Sequence, residues 1–279
     1  MKVLVTGAKG QLGYDVMKEL TTRNIPCKGV DRDDFDITNK SDVYHAIEEY
    51  RPSAVIHCAA YTAVDKAEDE PELCRQINEY GTRNIAEACK RISAKMLYIS
   101  TDYVFSGEGD HFHKPNDPTA PVSVYGKTKL AGEKAVIETL DEYFIVRISW
   151  VFGENGNNFV KTMLRLGKER DTINVVNDQI GSPTYTADLA PLLCQMTNTE
   201  KYGIYHATNE GTCSWAEFAM EIFHQAGLNV TVNPIPSSDY PTKAVRPLNS
   251  RLDKGCLNEA GFARLPCWKN ALGRYWNRK

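Results

Sequence analysis

The 279-residue sequence has no excess of either charge: 33 Lys and Arg stand against 36 Asp and Glu, a formal net charge of -3, with the two signs interspersed. Without a basic patch there is no electrostatic footprint for a nucleic-acid backbone or an anionic membrane surface. No apolar run reaches the roughly 20 residues that a membrane-spanning helix needs. The opening MKVLVTG reads as a strand, not as a basic segment followed by a long apolar one, so the expected location is the cytoplasm. The eight cysteines (Cys27, Cys58, Cys74, Cys89, Cys194, Cys213, Cys256 and Cys267) lie far apart, with no C-x-x-C pair and no Cys/His spacing suited to zinc. They are expected to be reduced thiols. Internal repeats and low-complexity tracts are also missing. What remains, 42% hydrophobic and 25% charged residues, is the composition of a globular chain whose partners are small molecules.

What is present is an alternation. Short β-branched or apolar runs, KVLVTG, PCKGVD, SAVIHCA, KMLYIST and YFIVRIS, are separated by segments of helical period such as QLGYDVMKELTTR, SDVYHAIEEY and PELCRQINEYGTRNIAEACKRI. That rhythm predicts an α/β fold with a doubly wound parallel sheet and right-handed crossovers. After about residue 150 the rhythm loosens, with helices expected in GNNFVKTMLRLGKE and TADLAPLLCQMTN and short strands in INVV, GIYHAT and NVTVNPI. We therefore expect a nucleotide-binding domain over 1–150 and a smaller α/β lobe over 151–279, with some segments returning to the first. In TCSWAEFAMEIFHQAG, Ser214 and Glu217 form a capping-box pattern and Gly227 a stop. IPSSDYPTKAVRP, with three prolines, reads as loop.

TGAKGQLG follows the first strand directly and opens a helix, spacing Gly7, Gly10 and Gly13 by three, with Gln11 and Leu12 between the last two. Glycine lets a pyrophosphate approach the backbone, and the helix N-terminus offers free N–H groups and a favourable dipole. Eighteen residues beyond Gly13 the second strand ends in Asp31, near the offset of about 20 expected for an acid that binds a ribose 2′-hydroxyl. Arg32 comes next and suits the 2′-phosphate of NADPH instead. The two neighbours point to use of either cofactor. Asp36 and Ile37 are candidates for the adenine, and Ala59, Ala60 and Tyr61, just past a strand end, for a surface on which the cofactor lies. His57, inside an apolar run, reads as a core histidine.

SVYGKTKLAGEKAV places Tyr125 and Lys129 four apart on a helix, one above the other. A nearby cation stabilises a phenolate and moves its pKa toward neutrality, where proton exchange is efficient. YISTDYVFSG ends another strand, so Ser100, Thr101 and Asp102 emerge at the same edge as the glycine turn, where a hydroxyl can hydrogen-bond a carbonyl.

In residue type and chain order, the glycine turn, Thr101, Tyr125 and Lys129 resemble the short-chain dehydrogenase/reductase superfamily of extended type. Together with IHCAAYTAVDKAE, RISWVFGENGNNFVKTMLRLG, DQIGSPTYTADLA and RPLNSRLD, they resemble the dTDP-4-dehydrorhamnose reductase family over nearly the full chain. The resemblance implies a Rossmann-type fold and reduction of the 4-keto group of dTDP-4-dehydro-β-L-rhamnose by NADPH or NADH, with NADPH favoured. It implies Tyr125 as proton donor, Lys129 lowering its pKa and holding ribose, and Thr101 polarising the carbonyl. Asp102, Tyr103 and Trp150 would line the sugar, and Asn158, Thr184 and Arg246 would meet the diphosphate. Some members are described with magnesium held by glutamates between subunits; the matching place reads Asp15 here, with no carboxylate cluster, so no metal is expected. A dTDP-sugar is the implied partner, and the chain is expected to be a monomer or a homodimer.

Three other readings remain at this stage. A 4,6-dehydratase needs an Asp-Glu pair after the threonine, whereas Tyr103 follows Asp102. A nucleotide-sugar 4-epimerase uses the same Tyr/Lys pair with retained cofactor. A non-catalytic Rossmann-type regulatory subunit would keep the fold alone.

Overall fold

The computed structural model describes residues 1–277. The chain begins with β1 (Val3–Thr6), α1 (Gln11–Thr22), β2 (Cys27–Val30), α2 (Lys40–Tyr50) and β3 (Ala54–His57). A helical stretch follows, made of α3 (Val64–Ala67), α4 (Pro71–Arg75), a π-helical segment (Gln76–Gly81) and α5 (Thr82–Ile92). Next come β4 (Lys95–Thr101), α6 (Val124–Thr139) and β5 (Tyr143–Ile148). The remainder contains β6 (Val151–Phe152), α7 (Phe159–Glu169), β7 (Thr172–Val176), β8 (Ile180–Gly181), β9 (Thr184–Tyr185), α8 (Thr186–Met196) and β10 (Gly203–His206). It closes with β11 (Cys213–Ser214), α9 (Trp215–Ala226), β12 (Thr231–Ile235), β13 (Asn249–Ser250), α10 (Gly255–Glu259) and α11 (Trp268–Trp276).

Six strands form one parallel sheet in the order β10-β5-β4-β3-β1-β2. Winding outward from β1 to β2, then back past β1 to β3, leaves a crevice beyond the carboxyl ends of β1 and β3, the place where open α/β sheets bind ligands. β1 and β3 are apolar on both faces because both faces are covered. On one side Val16, Leu20, Leu189 and Leu193 of α1 and α8 pack on Val5, Ile56 and Val146. On the other, Ile47, Ile85 and Val136 of α2, α5 and α6 pack on Leu4, Val55 and Ile145. A separate core of Phe152, Phe218, Phe223, Trp268 and Tyr275 holds the smaller lobe.

The later chain weaves between these cores. After β6 to β9 it returns as α8 against α1 and as β10, which pairs with β5 at the sheet edge. Helix α9 has both halves of its capping box, Ser214 Oγ accepting from Glu217 N at 3.1 Å and Glu217 accepting from Ser214 N at 2.7 Å, and stops at Gly227 with φ +66°. PELCRQINEYGTRNIAEACKRI, with the period of a single helix, is divided by the π segment, which turns Asn78 inward to a fully buried position.

Helix α6 starts at Ser123, whose Oγ accepts the Gly126 N–H at 3.1 Å. At Gly132 a Cβ would overlap the Tyr98 hydroxyl and the Asn78 carbonyl, so only glycine lets α6 lie this close to β4 and the π segment. That proximity sets the depth of Tyr125 and Lys129. One turn further on, Glu133 forms a buried bidentate pair with Arg147 of β5, Nε to Oε1 at 2.8 Å and Nη2 to Oε2 at 2.7 Å. Ser100 of β4 donates to the same Oε1 at 2.5 Å, so one carboxylate fastens α6 to both strands.

Candidate active site

The turn between β1 and α1 is built for close backbone approach. Gly7 has φ +68°, and a Cβ there would lie 2.7 Å from the Ala59 amide nitrogen. Gly10 is the N-cap of α1 and supplies no side-chain cap, and the first turn carries no acid. The N-terminal amides around Gln11, Leu12 and Gly13 are thus available to an anion, and the helix dipole favours one. Leu12 itself turns its side chain into the core. This arrangement fits the pyrophosphate of a dinucleotide.

At the end of β2, Asp31 accepts the Lys9 N–H at 3.0 Å and the Arg32 N–H at 2.9 Å, fixing its carboxylate beside the glycine turn. The Arg32 side chain is exposed, and Lys9 pairs with Asp33 at 2.5 Å. Asp36 accepts the amide and hydroxyl of Thr38, at 2.9 and 2.8 Å, so its carboxylate shapes the approach to α2. Ile37 lies against Gly81, a partly buried apolar wall. Beyond β3, Ala59 donates its N–H to Thr6 Oγ1 at 3.3 Å, Ala60 is half-buried, and the Tyr61 N–H is held by Asn78 Oδ1 at 2.8 Å. His57 is buried between Thr6 and Thr82, and burial pushes its pKa down to about 3.

Thr101, Tyr125 and Lys129 come together at the carboxyl edge of β4. Thr101 is buried, donates to Asp102 Oδ1 at 3.0 Å and accepts the Tyr103 N–H at 3.2 Å. The Tyr125 phenol is turned toward the same hydroxyl. Burial raises the Tyr125 pKa above the ordinary phenol value, an effect that the Thr101 contact opposes, so the group stays protonated at neutral pH. Lys129 is 2% exposed, and desolvation lowers its pKa to about 7. Its ammonium donates to the Ile99 carbonyl at 2.7 Å and lies 4.0 Å from the Tyr98 ring centroid. The lysine shares the helical face with Tyr125 and directs its ammonium to Ile99 and Tyr98, while burial acts on the phenol.

Desolvation also raises Asp102 to about 6. Tyr103 packs edge-on to Tyr125 at 5.4 Å and is pushed up to about 12 by burial. Arg246, from the proline-rich loop, donates to the Tyr103 hydroxyl at 3.3 Å and to Asp65 at 2.6 Å, which places a guanidinium at the mouth. Trp150 has φ +50° and stacks on Trp215, with ring centroids 3.8 Å apart, at the rim of the smaller core.

Two expected diphosphate ligands are engaged elsewhere. Thr184 is fully buried, its hydroxyl donating to the Ser149 carbonyl at 2.6 Å, because it belongs to β9 inside the lobe. Asn158 is the N-cap of α7; its Oδ1 accepts from Lys161 N at 3.0 Å, and its Nδ2 donates to Gln11 at 3.0 Å and Gly153 at 2.9 Å. The sequence reading passed over Asn155, which donates to the Lys9 carbonyl at 2.6 Å and so hooks the smaller lobe onto the glycine turn. It also passed over Asn78, whose Nδ2 donates to Thr128 Oγ1 of α6 at 3.1 Å. Both contacts join distant parts of the chain, and no local pattern signals them. Asp15 is buried, accepts from Thr186 Oγ1 at 2.5 Å, and belongs to no cluster of three possible metal ligands among the described residues.

A glycine-rich turn at the head of a doubly wound sheet, with a threonine at the end of β4 and a tyrosine and a lysine on α6 at the same sheet edge, defines a dinucleotide-dependent enzyme of the Rossmann class. More narrowly, the chain belongs to the RmlD substrate binding domain family, which it matches over residues 1–279. It is 43% identical to a dTDP-4-dehydrorhamnose reductase of Aggregatibacter actinomycetemcomitans over 284 aligned positions, covering 97% of each chain. It is 44% identical to a protein of the same name from Streptomyces griseus, covering 96% of this chain and 91% of that one. A crystal structure of dTDP-4-dehydrorhamnose reductase from Bacillus anthracis in complex with NADP superimposes with a TM-score of 0.97 at 46% identity, covering 100% of both chains.

Proposed function

We propose that this protein reduces the 4-keto group of dTDP-4-dehydro-β-L-rhamnose to give dTDP-L-rhamnose, with NADPH or NADH as reductant. The observation that carries the reading is the convergence of Tyr125 with the buried Thr101 and Lys129, at the same sheet edge as the uncapped N-terminus of α1. Names of relatives that align over nearly the whole chain supply the sugar.

In this reading, Gly7, Gly10, Gln11, Leu12 and Gly13 hold the pyrophosphate. Asp31 and Arg32 meet the adenosine ribose or its phosphate, Asp36 and Ile37 flank the adenine, and Ala59, Ala60 and Tyr61 line the path to the nicotinamide. A bound dihydronicotinamide supplies the hydride. Thr101 orients the ketone, and Tyr125, kept protonated by burial, gives its proton to the carbonyl oxygen as the carbinol forms. Lys129 holds ribose hydroxyls and, turning from Ile99, brings positive charge to the phenolate that remains. Asp102, Tyr103 and Trp150 present a polar edge and flat faces to the sugar, and Arg246 meets the diphosphate. No helix among the described residues is long and apolar enough to cross a membrane, and we place the reaction in the cytoplasm.

The test is oxidation of NADPH or NADH by the purified protein, with dTDP-4-dehydro-β-L-rhamnose generated in place by an epimerase. One reduced cofactor consumed per dTDP-L-rhamnose formed supports the reading. Sugar interconversion at C4 without net consumption, on a retained nucleotide, would replace it with an epimerase.

A further inference from the structure

Between Thr101 and Tyr125 the chain makes an excursion over residues 105–123 that none of the assigned roles uses. Within it the sequence reads DHFHKPND. The Phe112 neighbours, His111 and His113, stand two apart, the spacing that puts side chains on one face of an extended segment. The segment is held in that form: His113 bridges Leu252, its N–H donates to Arg251 O at 2.9 Å, and its carbonyl accepts Asp253 N at 2.8 Å. The His111 carbonyl accepts Asn249 Nδ2 at 2.8 Å. A turn then brings Asp117 back, with Asp117 Oδ2 accepting the Lys114 N–H at 2.7 Å and Asp117 N donating to Lys114 O at 3.1 Å.

One ligand atom from each of His111, His113 and Asp117 lies within 4.8 Å of the others. A cavity of about 460 Å³ opens on them. The second observation is independent of this clustering. His113 is 4% exposed, and its Nε2 has no hydrogen-bond partner. An orphaned buried imidazole nitrogen loses hydration with nothing in return, a cost natural structures meet only for a reason.

We propose that His111, His113 and Asp117 bind one divalent ion of the zinc class, with water completing the shell. Two imidazoles and a carboxylate suit a borderline transition ion, whereas calcium and magnesium prefer all-oxygen sets. Tetrahedral bonds of about 2.0–2.2 Å set ligand atoms about 3.3–3.6 Å apart. Closing the cluster to that spacing requires movement of His111, whose side chain is 61% exposed, while His113 is fixed by stacking on Phe105 at 4.3 Å. The Asp117 charge offsets half of the ion's, and Lys114 is exposed and can turn away. An ion there would pin the excursion at its midpoint, between the strand end that presents Thr101 and the helix that presents Tyr125.

The experiment uses the full chain, reduced and stripped with a chelator, titrated with Zn²⁺ alone by calorimetry and with Co²⁺ alone by absorption. We expect one equivalent of Zn²⁺, a rise in melting temperature on binding, and Co²⁺ d–d bands without a thiolate charge-transfer band. His111→Ala, at an exposed position, and Asp117→Asn should each weaken binding at least tenfold, since even outer partners of metal ligands are worth about ten- to a hundredfold. His113→Gln, checked by circular dichroism for folding, should do the same. Equal affinity in the wild type and His111→Ala, or thiolate bands that persist in both, would overturn the site and assign the metal to cysteines. Absence of stoichiometric binding to the folded wild-type protein would overturn it as well.

Discussion

Replacing Glu133 by Gln keeps the shape of a side chain that is 1% exposed and removes its charge. The carboxylate accepts two bonds at Oε1, from Ser100 and Arg147 Nε, and one at Oε2 from Arg147 Nη2. An amide oxygen at the first position keeps the first two, but the amide nitrogen then faces Nη2, donor against donor, at 2.7 Å. Arg147, 2% exposed, retains Pro115 O at 3.0 Å and is left without a counter-charge. Breaking one side of a buried pair costs about 3–5 kcal/mol, and the preserved bonds place this substitution at about 3. The assay is equilibrium unfolding in urea at neutral pH, reading a lower midpoint at unchanged slope. Glu133→Met with Arg147→Met removes both charges and should recover most of the loss, because an apolar pair can replace a buried ion pair at little cost. A single-substitution loss under about 1 kcal/mol, the range of an exposed pair, would refute the view that this contact is desolvated and joins α6 to β4 and β5.

Tyr125→Phe should lower turnover by about 10²–10⁴, the usual contribution of a positioned proton donor, while reduced-cofactor affinity, followed by fluorescence, stays within a few-fold; retained turnover would remove the donor role. Gly7→Ala forces an L residue to φ +68° with its Cβ 2.7 Å from Ala59 N, and should abolish NADPH binding in the same titration; unchanged affinity would show that the turn does not carry the pyrophosphate. Acid should destabilise the fold: His57 and His206 have pKa values pushed down to about 3 by burial, so between about 6.5 and 3 the unfolded chain binds more protons and stability falls as pH falls. Each contributes about 1.4 kcal/mol per pH unit, and Asp102, raised to about 6, opposes one of them between about 6 and 4. A urea midpoint that does not move from pH 6 to pH 4 would contradict this balance.

The parallel sheet could be read from the alternating runs because strands covered on both faces must be continuously apolar, as VLVT and AVIH are. The capping box of Ser214 and Glu217 was equally local, and the structure has it. Tyr125 and Lys129 were brought to one face by helix period alone. Where the ammonium points was not legible: its partner, Ile99 O, lies on another element 30 residues away, and burial rather than spacing decides the Tyr125 pKa. Thr184 and Asn158 have side chains suited to a phosphate, yet the lobe's own packing and the α7 cap claim them. Glu133 and Arg147 illustrate the same limit, since nothing in two charged residues 14 apart says that they meet without water.

The return of the chain to the sheet at β10 has a mechanical consequence. The smaller lobe is not hung on a single tether: the backbone passes out after β5, back into α8 and β10, out through β11 and α9, and back again at α10. A lobe joined at several crossings cannot swing freely, because any opening has to bend all of them together, and Asn155 and Asn158 clasp it further to Lys9 and Gln11. Nor can it be exchanged as a block. A chimera cut at residue 150 would transplant β10 with the lobe, strip β5 of its neighbour and leave an open strand edge on the donor half.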